Sequence, residues 1–336
     1  MYAVSGTIDP AGLGGGPVVS NAQPNGLFTF PTYYERLQAA GITWRDYATS
    51  QFGGELPFTF AQFANADPGS PQYENGVRIR SLSALMDDVL HDRLPQFSRI
   101  ESSFPPEVDE HPPSLPALGA GFIYSILDAL ASNPEVWAKT VVFITYDEND
   151  GFFDHVPPPT APPGTDGEWV TAPLPDDAGG IAGPIGLGFR VPMLVISPWS
   201  RGGWVASQAF DHTSVIRFAE RLFGVREPQI SGWRRRTVGD LTSALRFSSP
   251  DHSSLSRLLP KLPDPAALIA LEQQETATLP PPQVPAVQTM PRQEPGHRRH
   301  TNRPGAQPGR PAAGSPKNWR TASSPPGDDS HGLPDQ

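Results

Sequence analysis

The sequence contains no cysteine, which excludes a disulfide scaffold and thiol catalysis. It has no apolar run approaching the ~20 residues that a membrane-spanning helix needs, so no transmembrane segment is predicted. Residues 1–20 lack the basic and apolar regions of a signal peptide. Basic residues are also scarce, 25 against 35 acidic ones, and the net charge of −10 argues against a nucleic-acid partner. Such an acidic chain is suited to holding a cation.

Proline is abundant, and its distribution divides the 336-residue chain. Residues 279–336 contain 13 prolines and one aromatic residue, Trp319, so this segment cannot bury enough surface to offset its ordering entropy. We therefore predict a partial catalytic domain over residues 1–250, a terminal extension with one short helix over residues 251–278, and a disordered tail over residues 279–336.

The chain is organised around residues 140–159, TVVFITYDENDGFFDHVPPP. The apolar run at residues 141–144 predicts a strand buried on both faces, as in parallel sheets. Open α/β sheets place ligand sites where such strands end, and this one ends in acidic residues. Carboxylates with an imidazole suit a divalent cation or phosphate-ester chemistry, although a solvated acidic turn is an equal alternative. The residues concerned are Asp147, Glu148, Asp154 and His155.

Apolar periodicity and capping residues predict the other elements. The helix at residues 119–131 is expected to join two strands as a βαβ unit. Helices are predicted at residues 33–39, 82–90, 119–131, 213–223 and 266–274, and strands at residues 42–47, 97–104 and 191–196.

Two further histidines stand beside predicted strand ends. His111 lies in a proline-stiffened loop, DEHPP, where a catalytic imidazole or an ordinary exposed residue would fit. His212 begins a helix, a location that suits anions, and Asp211 either caps that helix or contributes to a site. The basic run at residues 234–236 is predicted to be a solvated surface, with a phosphate role as the minor alternative.

Together these segments resemble the phosphoesterase family of bacterial phospholipases C and related acid phosphatases. The similarity is greatest to its phosphocholine-specific (non-haemolytic) branch, and it spans roughly residues 1–296. The motifs that carry it are GTIDPAGLGGGP (6–17), DEHPP (109–113), VVFITYDENDGFFDHVPPP (141–159), RVPMLVISPWSRGGW (190–204), FDHTSVIRFAERLFG (210–224), GDLTSALRF (239–247) and MPRQEPG (290–296).

The resemblance implies an α/β fold with an alkaline-phosphatase-like, mostly parallel sheet flanked by helices, incomplete at the N-terminus. It implies metal-assisted hydrolysis of phosphoric esters, in which phosphatidylcholine-type lipids yield diacylglycerol and phosphocholine. Asp147 and Glu148 match a metal-ligand pair, and His111 matches a histidine that contacts the substrate phosphate. Of the remaining motif positions, His155 is expected to be catalytic and His212 to bind substrate. Asp154 and Asp211 match further motif positions.

The resemblance also predicts a fragment. The family's Glu-Asn metal motif and its nucleophilic Ser or Thr precede the GTIDP segment, and no residue here matches that nucleophile. The similarity stops after Gly296, as a reading-frame change would produce. A catalytically inactive remnant and a non-catalytic headgroup-binding module therefore stand beside the active enzyme. The expected partners are a phospholipid or phosphate-ester substrate, a divalent metal ion and a peripheral membrane contact, in a secreted or periplasmic setting.

Overall fold

The structure is a computed structural model, and the residues that it describes form ten α-helices and four strands. The predicted tail lies almost entirely outside these residues, as does the end of the predicted strand at residues 97–104. The described residues are 1–20, 27–48, 55–102, 109–152, 154–176, 180, 182–253, 265–280, 283 and 287.

The elements mix short helices and short strands along the whole described chain. The helices are α1 Tyr2–Ser5, α2 Tyr33–Ala39, α3 Glu55–Thr59, α4 Ala61–Ala64, α5 Leu82–Leu90, α6 Pro116–Ser132, α7 Pro134–Trp137, α8 Thr213–Phe223, α9 Gly232–Thr237 and α10 Pro265–Thr278. The strands are β1 Trp44–Ala48, β2 Phe97–Glu101, β3 Val142–Thr145 and β4 Met193–Ile196, with a π-helical turn at Tyr73–Val77 and a 3₁₀ turn at Thr242–Ala244.

Helix α2 confirms its prediction residue for residue. The backbone N–H of Thr32 donates to Glu35 Oε2 at 2.8 Å, which is one half of a capping box. Tyr34 and Leu37 are buried in an aromatic-rich cluster that also contains Trp44. The local capping signal and the apolar spacing therefore act together to fix this helix.

Strands β1 and β2 form a parallel two-stranded sheet, with Trp44 opposite Phe97. Strands β3 and β4 form a second two-stranded sheet, which is antiparallel, with Val142 opposite Ile196 and Thr145 opposite Met193. The predicted parallel arrangement of β3 is therefore wrong, and so is the βαβ unit, because β2 and β3 lie in different sheets. The chain leaves β3, crosses residues 146–192 and enters β4 at the same end of the sheet.

Both faces of the β3–β4 sheet are covered by helices. Val142 and Ile196 pack against a cluster that includes Ile126 of α6. Phe143 and Val195 alternate to the opposite face and pack against Phe218 of α8. The described strands thus form a helix–sheet–helix layering. None of their residues is fully buried, and Thr145 and Leu194 are exposed, because the described sheet is only two strands wide. The prediction that β3 is buried on both faces is therefore wrong.

Helix α8 also begins and ends where predicted, and Gly224 closes it with φ 73°. The basic run that follows corrects an expectation, because Arg234 is only 1% exposed. Its guanidinium donates to both carboxylate oxygens of Glu168, at 3.0 and 2.8 Å, and to Asp211 Oδ2 at 2.5 Å. It also stacks on the ring of Tyr2, 3.9 Å from the centroid. The prediction of a solvated face therefore fails for Arg234.

A bilayer-spanning helix is not found in the described part of the chain, since no helix there is both long enough and apolar enough.

Candidate functional site

Tyr146, the first residue after β3, is the point at which three chain segments meet. Its hydroxyl donates to Glu110 in the DEHPP loop. Its carbonyl oxygen accepts from Nε2 of His212 at 2.9 Å, and its backbone N–H donates to the carbonyl of Pro192 at 3.4 Å. The bond to Glu110 raises the pKa of the Tyr146 hydroxyl to about 12. The strand end therefore gathers the loop before α6, the start of α8 and the entry to β4.

A cleft of about 360 Å³ opens beside this strand end. It contains three carboxylates, one arginine and one histidine, with two exposed aromatic rings at its rim. This acidic lining suits a cation better than a bare phosphate. The lining residues are Tyr146, Glu148, Asn149, Asp150, Phe152, Asp154, His155, Arg190, Val191 and Pro192.

Asp154 is held in this cleft by Arg190. Nη2 of Arg190 donates to Asp154 Oδ1 at 2.9 Å, and its Nε donates to Oδ2. This bidentate contact lowers the pKa of Asp154 to about 2. Nδ1 of His155 lies 3.1 Å from Asp154 Oδ1, so the carboxylate also orients that imidazole.

His212 lies at the start of α8, as predicted, and its ring points toward the end of β3. Because a carbonyl oxygen can only accept, the contact with Tyr146 places a proton on Nε2 of His212. When the ring is neutral, its Nδ1 is then left as an acceptor. The contact therefore fixes the tautomer of the His212 ring, which is bound to the backbone of the residue that precedes Asp147.

His111 is exposed on the loop whose neighbouring residue, Glu110, contacts Tyr146. Its backbone N–H donates to Asp109 Oδ1 at 2.8 Å, and Asp109 is buried. The DEHPP loop is therefore anchored against the strand end that carries Asp147. His111 does not line the described cleft, and Nδ1 of its ring lies 2.8 Å from the carbonyl oxygen of Pro112 in its own loop.

Asp211 turns away from the cleft. Its Oδ1 accepts from the backbone N–H of Thr213 at 3.0 Å and from the Thr213 hydroxyl at 2.6 Å. Its Oδ2 is taken by Arg234. These contacts support the start of α8 and the buried ion cluster, which is the capping alternative for this residue.

Asp147 and Glu148 are adjacent carboxylates at the end of β3, and of the two only Glu148 lines the described cleft. Both side chains are exposed, and neither forms an ion pair with a described side chain, although Glu148 Oε2 accepts from the backbone N–H of Asp150 at 3.1 Å. In the described ranges, no group of three or more His, Asp or Glu side chains converges in a way that could hold a metal ion. Two carboxylates completed by water and substrate oxygens are a common way to bind Mg²⁺. These two carboxylates have the donor chemistry of such ligands, but the described ranges contain no complete protein cage.

Sequence reasoning missed Tyr146 and Arg190. Tyr146 sits inside the quoted motif, but nothing in its spacing indicates that both its hydroxyl and its carbonyl are used. Arg190 precedes β4, and only the antiparallel register sets it beside Glu148. A parallel sheet, as predicted, would have placed it at the opposite end. The position of Arg190 could not be predicted because the sequence does not show the relative direction of β3 and β4.

Comparison with known proteins identifies one family and several related phospholipases C. The sequence model of the Phosphoesterase family matches residues 1–226, which is more than half of the chain. The chain is 48% identical over 319 residues to a non-hemolytic phospholipase C of Pseudomonas aeruginosa, covering 89% of this chain and 45% of that protein. It is 41% identical over 333 residues to a non-hemolytic phospholipase C of Burkholderia pseudomallei, covering 88% and 46%.

A third relative, phospholipase C B of Mycobacterium tuberculosis, is 42% identical over 317 residues, covering 88% of this chain and 60% of that protein. The chain thus spans about half the length of the curated relatives it matches. The family match includes the DEHPP loop, the acidic end of β3 and all of α8. This chain therefore belongs to the Phosphoesterase family.

Proposed function

We propose that the chain forms the phosphate-binding part of a phospholipase C, a hydrolase that cleaves phosphatidylcholine-type lipids to diacylglycerol and phosphocholine. The observation that carries the proposal is the meeting at Tyr146 of the DEHPP loop, the acidic end of β3 and the imidazole of His212. Three segments that are distant in sequence converge where an α/β sheet would place its ligand.

The roles of the side chains follow from their chemistry. Asp147 and Glu148 would hold a divalent cation, which would screen the phosphate charge and lower the pKa of a bound hydroxyl. His111 and His155 are the candidates to contact the phosphate or to give a proton to the leaving alkoxide. His212 is oriented by the Tyr146 carbonyl toward the same region and is assigned to substrate binding.

The substrate class and the wider fold rest on the relatives. Their names specify phospholipase C, and two of them specify the non-hemolytic type. The helix–sheet–helix layering around β3 and β4 is compatible with an alkaline-phosphatase-like fold, which we propose for the wider domain. A secreted or periplasmic location and a peripheral contact with lipid belong to the same proposal.

A second candidate is a domain that binds metal and headgroup without turnover. Among the residues that line the described cleft there is no serine, threonine or cysteine, and the hydroxyl of Tyr146 is held by Glu110. This observation favours binding alone for the chain as it stands.

The test is hydrolysis of a chromogenic phosphorylcholine ester by the purified chain, with and without Mg²⁺, Mn²⁺ or Ca²⁺. Calorimetric titration of the same metals is run in parallel. Asp147→Asn should abolish turnover and weaken metal binding, whereas Asp128→Asn, an exposed aspartate of α6, should change neither. Metal binding without turnover would select the second candidate. Metal binding unaffected by Asp147→Asn would refute the site itself.

A further inference from the structure

A second cleft, of about 320 Å³, lies at the C-terminal end of α8. Its charged lining carries four arginines and two carboxylates, a formal charge of +2 in a chain whose net charge is −10. Helix α8 has eleven residues, so its C-terminal end lies about 16 Å along the helix axis from His212, although Arg217, in its second turn, also lines the cleft. The charged residues are Arg217, Glu220, Arg221, Arg226, Arg235 and Asp240.

Two of the four arginines are neutralised by the carboxylates. Arg235 forms two bonds of 2.7 Å to the two oxygens of Glu220. Nε of Arg221 donates to Asp240 Oδ2 at 2.9 Å. These pairs leave the positive charge of the cleft on the other two arginines.

Arg217 and Arg226 have no carboxylate partner in the described structure. Nη1 of Arg217 donates to the carbonyl oxygens of Val238 and Gly239, which carry no charge. Burial lowers the pKa of Arg217, and the nearby carboxylates of Asp240, Glu220 and Asp211 oppose this shift only in part. Arg226 is exposed and makes no hydrogen bond or ion pair with any described residue. Both residues line the cleft.

The backbone brings these arginines to one place. Arg217 and Arg221 are four residues apart and share one face of α8. Gly224, with φ 73°, ends the helix in the left-handed region and lets the chain turn back, so that Arg226 lines the same cleft. The partial negative charge at the C-terminus of α8 stabilises Arg221 in the last turn, but it does not neutralise Arg226.

We propose that this cleft binds a phosphate group, carried by free phosphate or by a lipid headgroup, with Arg217 and Arg226 as its ligands. Planar guanidinium groups bind phosphate oxygens with paired donors, and a dianion matches the charge of the lining. The Arg235–Glu220 pair holds the wall of the cleft. This site is separate from the proposed hydrolytic site and does not depend on it.

Calorimetric titration of inorganic phosphate into the full chain at low ionic strength tests the proposal. Arg226→Gln should raise the dissociation constant about tenfold, the loss expected for one charge-assisted contact. Arg236→Gln removes the same charge from an exposed position of α9 outside the cleft, and it should bind like the unchanged protein. Arg217→Gln serves as a second variant, with its folding checked by circular dichroism.

Vesicles of phosphatidylcholine with and without phosphatidic acid distinguish the two sources of the phosphate. Binding only to vesicles with phosphatidic acid, lost in Arg226→Gln, supports the lipid source. Three results overturn the proposal: binding of neither probe, equal weakening by Arg236→Gln, or weakening only by Arg190→Gln. The last result would place phosphate in the cleft beside β3, so failure here is distinguishable from failure of the proposed function.

Discussion

At the scale of single residues, Tyr146 links the pieces of the candidate site. Its hydroxyl, its carbonyl and its backbone N–H each contact a different segment. Sequence reasoning selected the acidic residues on either side of the turn because carboxylates at a strand end signal ligand binding. It did not select the tyrosine, since the use of a backbone carbonyl leaves no trace in side-chain type.

The contact between Tyr146 and Glu110 predicts a titration effect. A phenol that donates to a carboxylate resists deprotonation, and this raises the pKa of Tyr146 to about 12. Replacing Glu110 by glutamine removes the charge, so the pKa should fall toward the ordinary value of 10. Nuclear magnetic resonance of ¹³C-labelled tyrosine rings would measure it. Glu275→Gln on α10 is the control, and an unchanged pKa in Glu110→Gln would place the DEHPP loop elsewhere.

Arg190 and Asp154 predict a pH effect with a defined sign. The folded pKa of Asp154, about 2, lies below its ordinary value of 3.8. The pair therefore stabilises the fold fully above about pH 4, and that stabilisation is lost as the pH falls toward 2. The contribution of this ion pair to the free energy of unfolding is small, because the Arg190 side chain is 56% exposed to solvent.

Arg190→Gln should raise the pKa of Asp154 toward 3.8, as followed by carboxyl ¹³C shifts. The acid-induced loss of stability between pH 4 and 2 should then be smaller than in the unchanged chain. Arg246→Gln, an exposed arginine that stacks on Trp204, should leave Asp154 unaffected. A low pKa that survives Arg190→Gln would contradict the pairing.

At the scale of elements, the described helices of seven or more residues were predictable, whereas the shorter helices and the strand pairing were not. Helices α2 and α8 carry local signals for their start and their end, and the bounds of both match to the residue. Strand β3 was found from its apolar run, but its partner and direction depend on the course of residues 146–192. No local pattern records that course. The buried role of Arg234 was equally hidden, because its partners lie 23 and 66 residues away.

Helix α8 offers a matched pair of substitutions for its amphipathic character. Ile216 is 0% exposed and Leu222 is 63% exposed on the same helix. Ile216→Ala should lower the free energy of unfolding by about 2–5 kcal/mol, since it leaves a cavity in the core. Leu222→Ala should change it by no more than about 0.5 kcal/mol. Urea denaturation compares the two, and similar losses would mean that α8 packs through a different face.

At the scale of the whole molecule, the folded unit extends past the family match. The match ends at residue 226, yet several of the most buried side chains follow it. They join the cores formed by α8 and by the β3–β4 sheet. The predicted boundary at residue 250 remains a prediction. The buried residues beyond the match are Glu227, Ile230, Arg234, Val238, Leu241 and Leu245.

Truncated chains test how far the folded unit extends beyond the family match. A chain ended at residue 253 should unfold cooperatively, close to the full chain, while one ended at residue 226 should lose its cooperative transition and bind a hydrophobic dye. The full chain should be somewhat more stable, because Glu272 of α10 accepts from the backbone N–H of Ala117 at 2.9 Å. Cooperative unfolding of the shorter chain would show that the family match alone is a complete folding unit.

The salt-bridged centre made by Arg234, Glu168 and Asp211 has an evolutionary consequence. Changing one member alone would strand an uncompensated charge away from water, at a cost of about 3–5 kcal/mol, whereas exchanging the set for apolar residues can be neutral. Homologous lineages should therefore either keep all three or have replaced them jointly. Tyr2 stacks on the same guanidinium and should be kept or replaced together with these three residues. The effects of substitutions at these four positions are therefore expected to depend strongly on one another.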